Sequence, residues 1–479
     1  PASAQGQQVV AAAIAAGIPE AIAGMFACVA SAPVQIMPPV LPKVTDYAAA
    51  LGGELNSEHS AVLPGYAVGK VIGEGGFCQV RLAIHQLSGR KVAVKIIDKA
   101  KLADANEAKR IQREIRVMRH LTHECVIKLF EVVDTPKMLY LIMEHAPNGS
   151  LLDYVRARKR LAEQDAAYIL QQIVAGLEYC HRREVVHRDV KLENILLDAD
   201  NGMKVIDFGL SAFFVPGKRL RVHCGSPSYA APEIVARKQY DGPPVDVWSL
   251  GVVLFAMLAG YLPFHSSSGN KQELCAKIME GRYTPPESLS ALAKDLLSRM
   301  LTVDPDRRIT LDAIMGHPWV KAAAKWEPVG GSIYMVRADP TTGAVYADDQ
   351  LVSELEAAGY NRQIVLQHLL NQDTNYITAG YYLLAEGKAE VIRRMRGPAA
   401  VRRYTSRSAP GAQPGDQQQP PSGVAAGGAA GGGSTAAAAT NTRTVGATAP
   451  NGTWTAAGGV SSMGAGQHGG SGGLGWSRP

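Results

Sequence analysis

The feature that most constrains the fold of this chain is a lysine inside an apolar strand. Lys95 stands in the middle of Val92 to Ile97, a run bounded by Gly89 on one side and by the charged stretch Asp98 to Lys101 on the other. A short run rich in β-branched residues reads as a strand, and an ammonium buried in it requires a counter-charge. The next periodic segment supplies one. Ile111, Ile115, Met118 and Leu121 recur at helical spacing, and Glu114 stands beside that inward stripe. A fold that suits this sequence lays the helix against the strand. The pair is then either a structural salt bridge or a device that holds Lys95 against phosphates.

The rest of the chain divides around this pair. Residues 1–65 show no helix or strand periodicity and read as low complexity. From Tyr66 the pattern alternates (Val68, Val71, then Val80, Leu82, Ile84 after a glycine turn), and further strands are expected around Ile127 to Val133 and Leu139 to Glu144. Helical patterns dominate from there to about residue 320, including Asp165 to Cys180, Pro244 to Gly260 and Leu289 to Leu301. The expected class is α+β, a small antiparallel β lobe with one key helix followed by a large, mainly helical lobe, over residues 66–320. After a linker at 321–347, three apolar runs between 348 and 388 predict a compact three-helix unit, its runs parted by Gly359 and by Asn371 to Asn375. Residues 389–479 read as a tail, and from Ala409 onward it holds too few large apolar residues to offset the entropy of ordering.

Composition removes several functions. A net charge of +6 over 479 residues is too small to imply a nucleic-acid partner. The six cysteines are scattered and form no CxxC pair, so neither a disulfide framework nor a zinc site is signalled and a reducing compartment fits best. The alanine-rich stretch from residue 9 to 42 is interrupted by Pro19 and Glu20, and no Lys or Arg precedes Lys43, so this stretch is not expected to be a span or a leader; because the sequence opens on Pro1, its start is expected to be processed or truncated, and a targeting peptide upstream would be invisible. Val245 to Phe264 contains Asp246 and Ser249 and is expected to be a core helix.

The chemistry lies in four motifs. Gly73-Glu74-Gly75-Gly76-Phe77-Cys78-Gln79-Val80 falls between two strands, where backbone N–H groups can approach a polyphosphate; a dinucleotide site would need a helix after it, and a strand follows instead. Then come His187-Arg188-Asp189-Val190-Lys191-Leu192-Glu193-Asn194, Asp207-Phe208-Gly209 and Ala231-Pro232-Glu233. This ordered set, in register with a glycine loop and a strand lysine, resembles the protein kinase family over roughly Tyr66 to Val320.

The resemblance implies a bilobal kinase fold, ATP as co-substrate and Mg²⁺ as cofactor. It implies Asp189 as the base that accepts the proton of a substrate hydroxyl, Lys191 as a γ-phosphate contact of the serine/threonine type, and the Lys95–Glu114 pair on the phosphates. Asn194 and Asp207 would be the magnesium ligands. Gly73, Gly75, Val80 and Ala93 would line the nucleotide, with Met143 as gatekeeper and Glu144 to Ala146 as the hinge. Glu233 with Arg308 would be a structural ion pair.

The segment from Leu220 to Glu233 is similar to the AMP-activated and sucrose-non-fermenting-related kinases of the calmodulin-dependent group, whose ubiquitin-associated-like domain the 348–388 unit resembles. From this follow an expected contact between that unit and the kinase domain, protein substrates in intracellular signalling, and a cytoplasmic or nuclear location. The alternatives are a pseudokinase scaffold and, more weakly, a ubiquitin-binding adaptor.

Three positions depart from the family pattern. Cys78 replaces the third glycine and is expected to be inert. Val222 stands where relatives carry a phosphorylated threonine, so activity is expected not to depend on phosphorylation there. Ser150 stands where relatives have a glutamate that reads basic substrates, while Asp153 and Glu193 keep the groove acidic; a weakened basic preference is expected.

Overall fold

In a computed structural model the described residues are 47–102, 104–266, 268–328, 336–338 and 345–396. Most of the expected low-complexity segment and of the expected tail lies outside them. Five strands form one antiparallel sheet: β1 (Tyr66–Glu74), β2 (Cys78–His85), β3 (Arg90–Asp98), β4 (Leu129–Asp134) and β5 (Met138–Glu144), in the order β1-β2-β3-β5-β4. β3 is therefore an interior strand. Two short helices precede the sheet, α1 (Tyr47–Ala50) and α2 (Ser57–Val62). They correct the expectation that residues 1–65 are unpatterned throughout: Leu51 is buried against Ala67, Leu82 and Ile84, and Leu63 joins the core around Tyr66. Elements of four and six residues are too short to show a period.

Helix α3 (Ala105–His120) starts at Asp104, whose carboxylate accepts the N–H groups of Asn106 and Glu107, and buries Ile111, Glu114, Ile115 and Met118. The large lobe follows with α4 (Leu151–Arg158), α5 (Glu163–Arg182), and the paired short strands β6 (Val185–Val186) with β9 (Ala212–Phe213) and β7 (Ile195–Leu197) with β8 (Met203–Val205). Its centre is α6 (Gly242–Ala259), buried from Val245 through Leu258. That helix is long and apolar enough to cross a membrane, but 83% of it is buried inside the lobe, as a core helix would be. It ends at Gly260, where φ is +84° and a Cβ would lie 2.1 Å from the Lys159 carbonyl, so only glycine fits. Helices α7 (Lys271–Glu280) and α8 (Ala291–Met300) follow, and the short helices Leu311–Gly316 and Pro318–Lys321 close the lobe. Glu233 and Arg308 form a two-bond ion pair at 2.8 and 3.0 Å inside it.

Within the expected linker, Arg337–Ala338 pairs with Val345–Tyr346. Three helices come next: α9 (Asp349–Ala357), α10 (Arg362–Leu370) and α11 (Tyr376–Arg396). Their Leu351, Val352, Leu355, Val365, Leu369, Ile377 and Leu383 share one core with Val68, Val92, Val94, Phe130, Tyr140 and Ile142 of the sheet. The tail boundary at 389 needs correction. α11 runs on to Arg396, Ala389 is buried, and Glu390 accepts from Arg90 at 2.8 Å. The apolar pattern thins there, so the extension is not visible in the sequence.

Candidate active site

Strand alternation divides β3 between two faces. Val92, Val94 and Ile96 enter the core shared with the three helices, which turns Ala93, Lys95 and Ile97 to the opposite face. Cross-strand partners share a face, and the register sets Val80 opposite Lys95 and Met143 opposite Ala93. Val80, Ala93, Lys95 and Met143 thus form one patch, apolar apart from a single ammonium. Lys95 Nζ donates to Glu114 Oε1 at 2.7 Å. Burial pulls the Lys95 pKa down, but Glu114, then Asp207, outweigh it and hold it above the ordinary lysine range.

The glycine loop is the turn between β1 and β2. Gly73 pairs with Val80, and the Gly75 N–H donates to the Cys78 carbonyl at 2.8 Å. Burial pushes the Cys78 thiol above its ordinary pKa despite the charge of Lys95, so it stays protonated and unreactive at neutral pH. At the far end of β5, the Glu144 carboxylate pairs with Lys204 at 2.6 Å, and its N–H donates to the Lys128 carbonyl.

The loop after β6 gathers the polar groups. Asp189 Oδ2 accepts from Lys191 Nζ at 2.7 Å and from Asn194 Nδ2 at 3.0 Å. Asp189 Oδ1 accepts the N–H and the hydroxyl of Ser226 at 3.0 and 2.9 Å. Burial raises this carboxyl, while the Lys191 and Ser226 bonds prevail and keep it below the usual carboxylate range. Gly225 makes the approach possible: its φ is +113° and a Cβ would lie 2.7 Å from the Arg188 carbonyl.

The loop itself is pinned by a residue absent from the sequence-based site, Asp246. It is fully buried in α6 and accepts from His187 N–H (2.9 Å), Arg188 N–H (2.7 Å) and His181 Nε2 (2.8 Å). A charge inside an apolar helix was the available signal. His187 in turn reaches the Ile206 carbonyl at 2.9 Å and packs its ring on Phe208.

Asp207 adopts a left-handed conformation at φ 64°, with one carboxylate oxygen accepting the Gly209 N–H. This turn brings the Asp207 motif against α3: a Cβ on Gly209 would lie 3.1 Å from Asp207 Oδ1 and 3.8 Å from Glu114 Oε2. Asn194 uses its amide nitrogen on Asp189, which leaves the amide oxygen for a cation. Among the described residues no group of three or more His, Cys, Asp or Glu side chains could hold a metal by itself. The two hard oxygen donors of Asn194 and Asp207 suit magnesium, which binds through one or two protein ligands completed by phosphate oxygens. The two lobes thus bring Lys95, Glu114, Asp189, Asn194 and Asp207, dispersed over 113 residues of sequence, into one arrangement.

Comparison with known proteins agrees. The family described as "Protein kinase domain" matches residues 66–320. The chain is 40% identical over 328 residues to SNF1-related protein kinase catalytic subunit alpha KIN12 of Arabidopsis thaliana, covering 68% of this chain and 65% of the relative. It is 41% identical over 339 residues to Serine/threonine protein kinase OSK3 of Oryza sativa subsp. indica, covering 70% and 65%. To Probable serine/threonine-protein kinase MARK-A of Dictyostelium discoideum it is 49% identical over 258 residues, covering 54% and 24%. The chain therefore spans 65% of the length of the two plant relatives. With a family match over more than half its length and the motif residues brought together as that family requires, this chain belongs to the protein kinase family.

Proposed function

We propose that this chain is a serine/threonine protein kinase that transfers the γ-phosphoryl group of ATP to a hydroxyl of a protein substrate. One observation carries the reading: Asp189, braced by Lys191, Asn194 and Ser226, belongs to the same arrangement as a half-buried lysine whose counter-charge comes from α3. The depressed Asp189 carboxyl is ionised at neutral pH, so it orients the substrate hydroxyl and accepts its proton as the oxygen–phosphorus bond forms and the bond to ADP breaks. Lys191, next to that carboxylate, meets the γ-phosphate, and Lys95, held by Glu114, steadies the other phosphates. Asn194 and Asp207 would hold magnesium, which when bound neutralises charge between the phosphates. Val80, Ala93 and Met143 offer an apolar bed for the adenine ring.

The scaffold alternative has no observation in its favour, since Cys78 and Val222 displace none of these groups. The test is phosphate transfer from magnesium ATP to a generic protein, with Asp207→Ala and Asp189→Asn as controls. Absence of transfer by the wild type, or equal transfer by the variants, overturns the reading.

Two features refine it. Ser150 and Asp153 close a capping box at the start of α4, so the Asp153 carboxylate is engaged with its own helix rather than free for a substrate cation. This supports a weakened preference for basic residues, and strong upstream arginine selection on a peptide array would contradict it. The three-helix unit, similar to ubiquitin-associated-like domains, is proposed to act on the kinase domain through the sheet; the shared core and the Arg90 pairs with Glu386 and Glu390 support this. The cytoplasmic or nuclear setting belongs to the same proposal, supported by free thiols at all five described cysteines.

A further inference from the structure

The segment that precedes the Ala231-Pro232-Glu233 motif is anchored on backbone carbonyls and, at its end, on the Asp189 carboxylate. Leu220 exchanges backbone bonds with Tyr240 in both directions, at 2.7 and 3.1 Å. The Val222 carbonyl accepts from the Tyr240 hydroxyl at 2.7 Å and from Arg188 Nη1 at 3.4 Å. His223 Nε2 donates to the Lys238 carbonyl at 2.8 Å, and Ser226 completes the run on Asp189. The Val222 side chain, 63% exposed, has no part in this.

Arg188 explains why no anion is needed. It is buried, and its guanidinium gives its protons to the carbonyls of Leu210, Ser211 and Val222 and to the Tyr240 hydroxyl. A buried guanidinium must find acceptors, and here the backbone and one tyrosine provide them. Because Tyr240 accepts from Arg188 while donating to Val222, the two bonds reinforce one another. Burial pushes the Tyr240 hydroxyl above its ordinary pKa, so it remains a donor at neutral pH.

We propose that Tyr240 is a positioning residue: together with Arg188 it clamps the Val222 carbonyl and holds residues 220–226, Ser226 included, in the substrate-accepting arrangement with no phosphate on the loop. The proposal rests on the kinase reading, and its test separates the two. Full-length protein is made in bacteria and its loop shown by mass spectrometry to be unmodified. Tyr240→Phe, which removes only the hydroxyl, is compared with Val222→Ala, which keeps the carbonyl. Tyr240→Phe is expected to lower kcat/KM for a protein substrate about tenfold while KM for ATP stays unchanged, and to speed tryptic cleavage after the exposed Arg219 and Arg221 about tenfold. Val222→Ala is expected to leave both readouts as in the wild type. The clamp is overturned if Tyr240→Phe changes neither readout, if activity falls with cleavage unchanged, or if Val222→Ala reproduces the loss. If no form transfers phosphate while Tyr240→Phe still speeds cleavage, the kinase reading falls and the clamp stands.

Discussion

The two faces of the five-stranded sheet each carry an ionisable side chain largely shielded from water, and they treat it in opposite ways. On the cleft face Lys95 meets Glu114 at 2.7 Å and keeps its charge. On the other face, under the three helices, Glu131 of β4 accepts from the Tyr66 hydroxyl at 2.6 Å, its one side-chain hydrogen bond among the described residues. Tyr360 and Tyr376 approach it from the three-helix unit, and the buried ring of His85, driven down to about 3 by burial, is uncharged there. Burial pushes the Glu131 carboxyl up to about 7. A low-dielectric site tolerates charge only where a counter-charge is fixed beside it. The cleft face keeps a permanent ion pair, and the face that packs helices drives its carboxyl toward neutrality. Charge removal should therefore cost on one face and gain on the other.

The largest test of that contrast is Lys95→Met, which strands Glu114 in the cleft. It is expected to lower kcat/KM for phosphate transfer by about 10²–10³-fold, read in steady-state assays. Retained activity would show the pair to be a structural salt bridge only. Leu355→Ala, at a fully buried position of the core between α9 and the sheet, is expected to cost about 2–5 kcal/mol in chemical denaturation. A smaller loss would mean that the helices contribute little to the stability of that face.

Glu131→Gln should stabilise, and the gain should depend on pH. The folded carboxyl holds its proton up to about 7, whereas in the unfolded chain it releases it near the ordinary value of 4.5. The stability that protonated Glu131 provides is therefore lost progressively as pH rises from about 4.5 to 7. The uncharged glutamine escapes this loss, so its advantage is near zero at pH 4.5 and reaches about 1–3 kcal/mol at pH 8. Thermal unfolding at both values decides it, and an advantage that does not grow with pH refutes the buried-acid account. The smallest effect is expected from Arg90→Ala, which removes partly exposed pairs with Glu386 and Glu390. A loss of about 0.2–1 kcal/mol that shrinks as salt is added would place the strength of the three-helix contact in its apolar core rather than its rim.

Residues whose roles depend on neighbours in sequence were legible from the chain alone. The strand around Lys95, the helical stripe carrying Glu114, the loop around Asp189 and the three apolar runs after residue 348 all announce themselves by period or motif. Others were not. Leu51 follows a helix too short for a period, Asp246 reads as a polar interruption of an apolar helix, and Tyr240 and Glu131 carry no local mark of importance. The hydrogen-bond partners Val222 of Tyr240, His187 of Asp246 and Tyr66 of Glu131 lie 18, 59 and 65 residues away.

Sequence alone determined the alternation that splits β3 between two faces and the chemical types needed for phosphoryl transfer, because spacing and side-chain chemistry are local properties. Tertiary structure decided which buried charges are neutralised by a partner and which by a proton, and how the 220–226 segment is anchored. Those outcomes depend on distance and local dielectric, which exist only once remote segments have packed together.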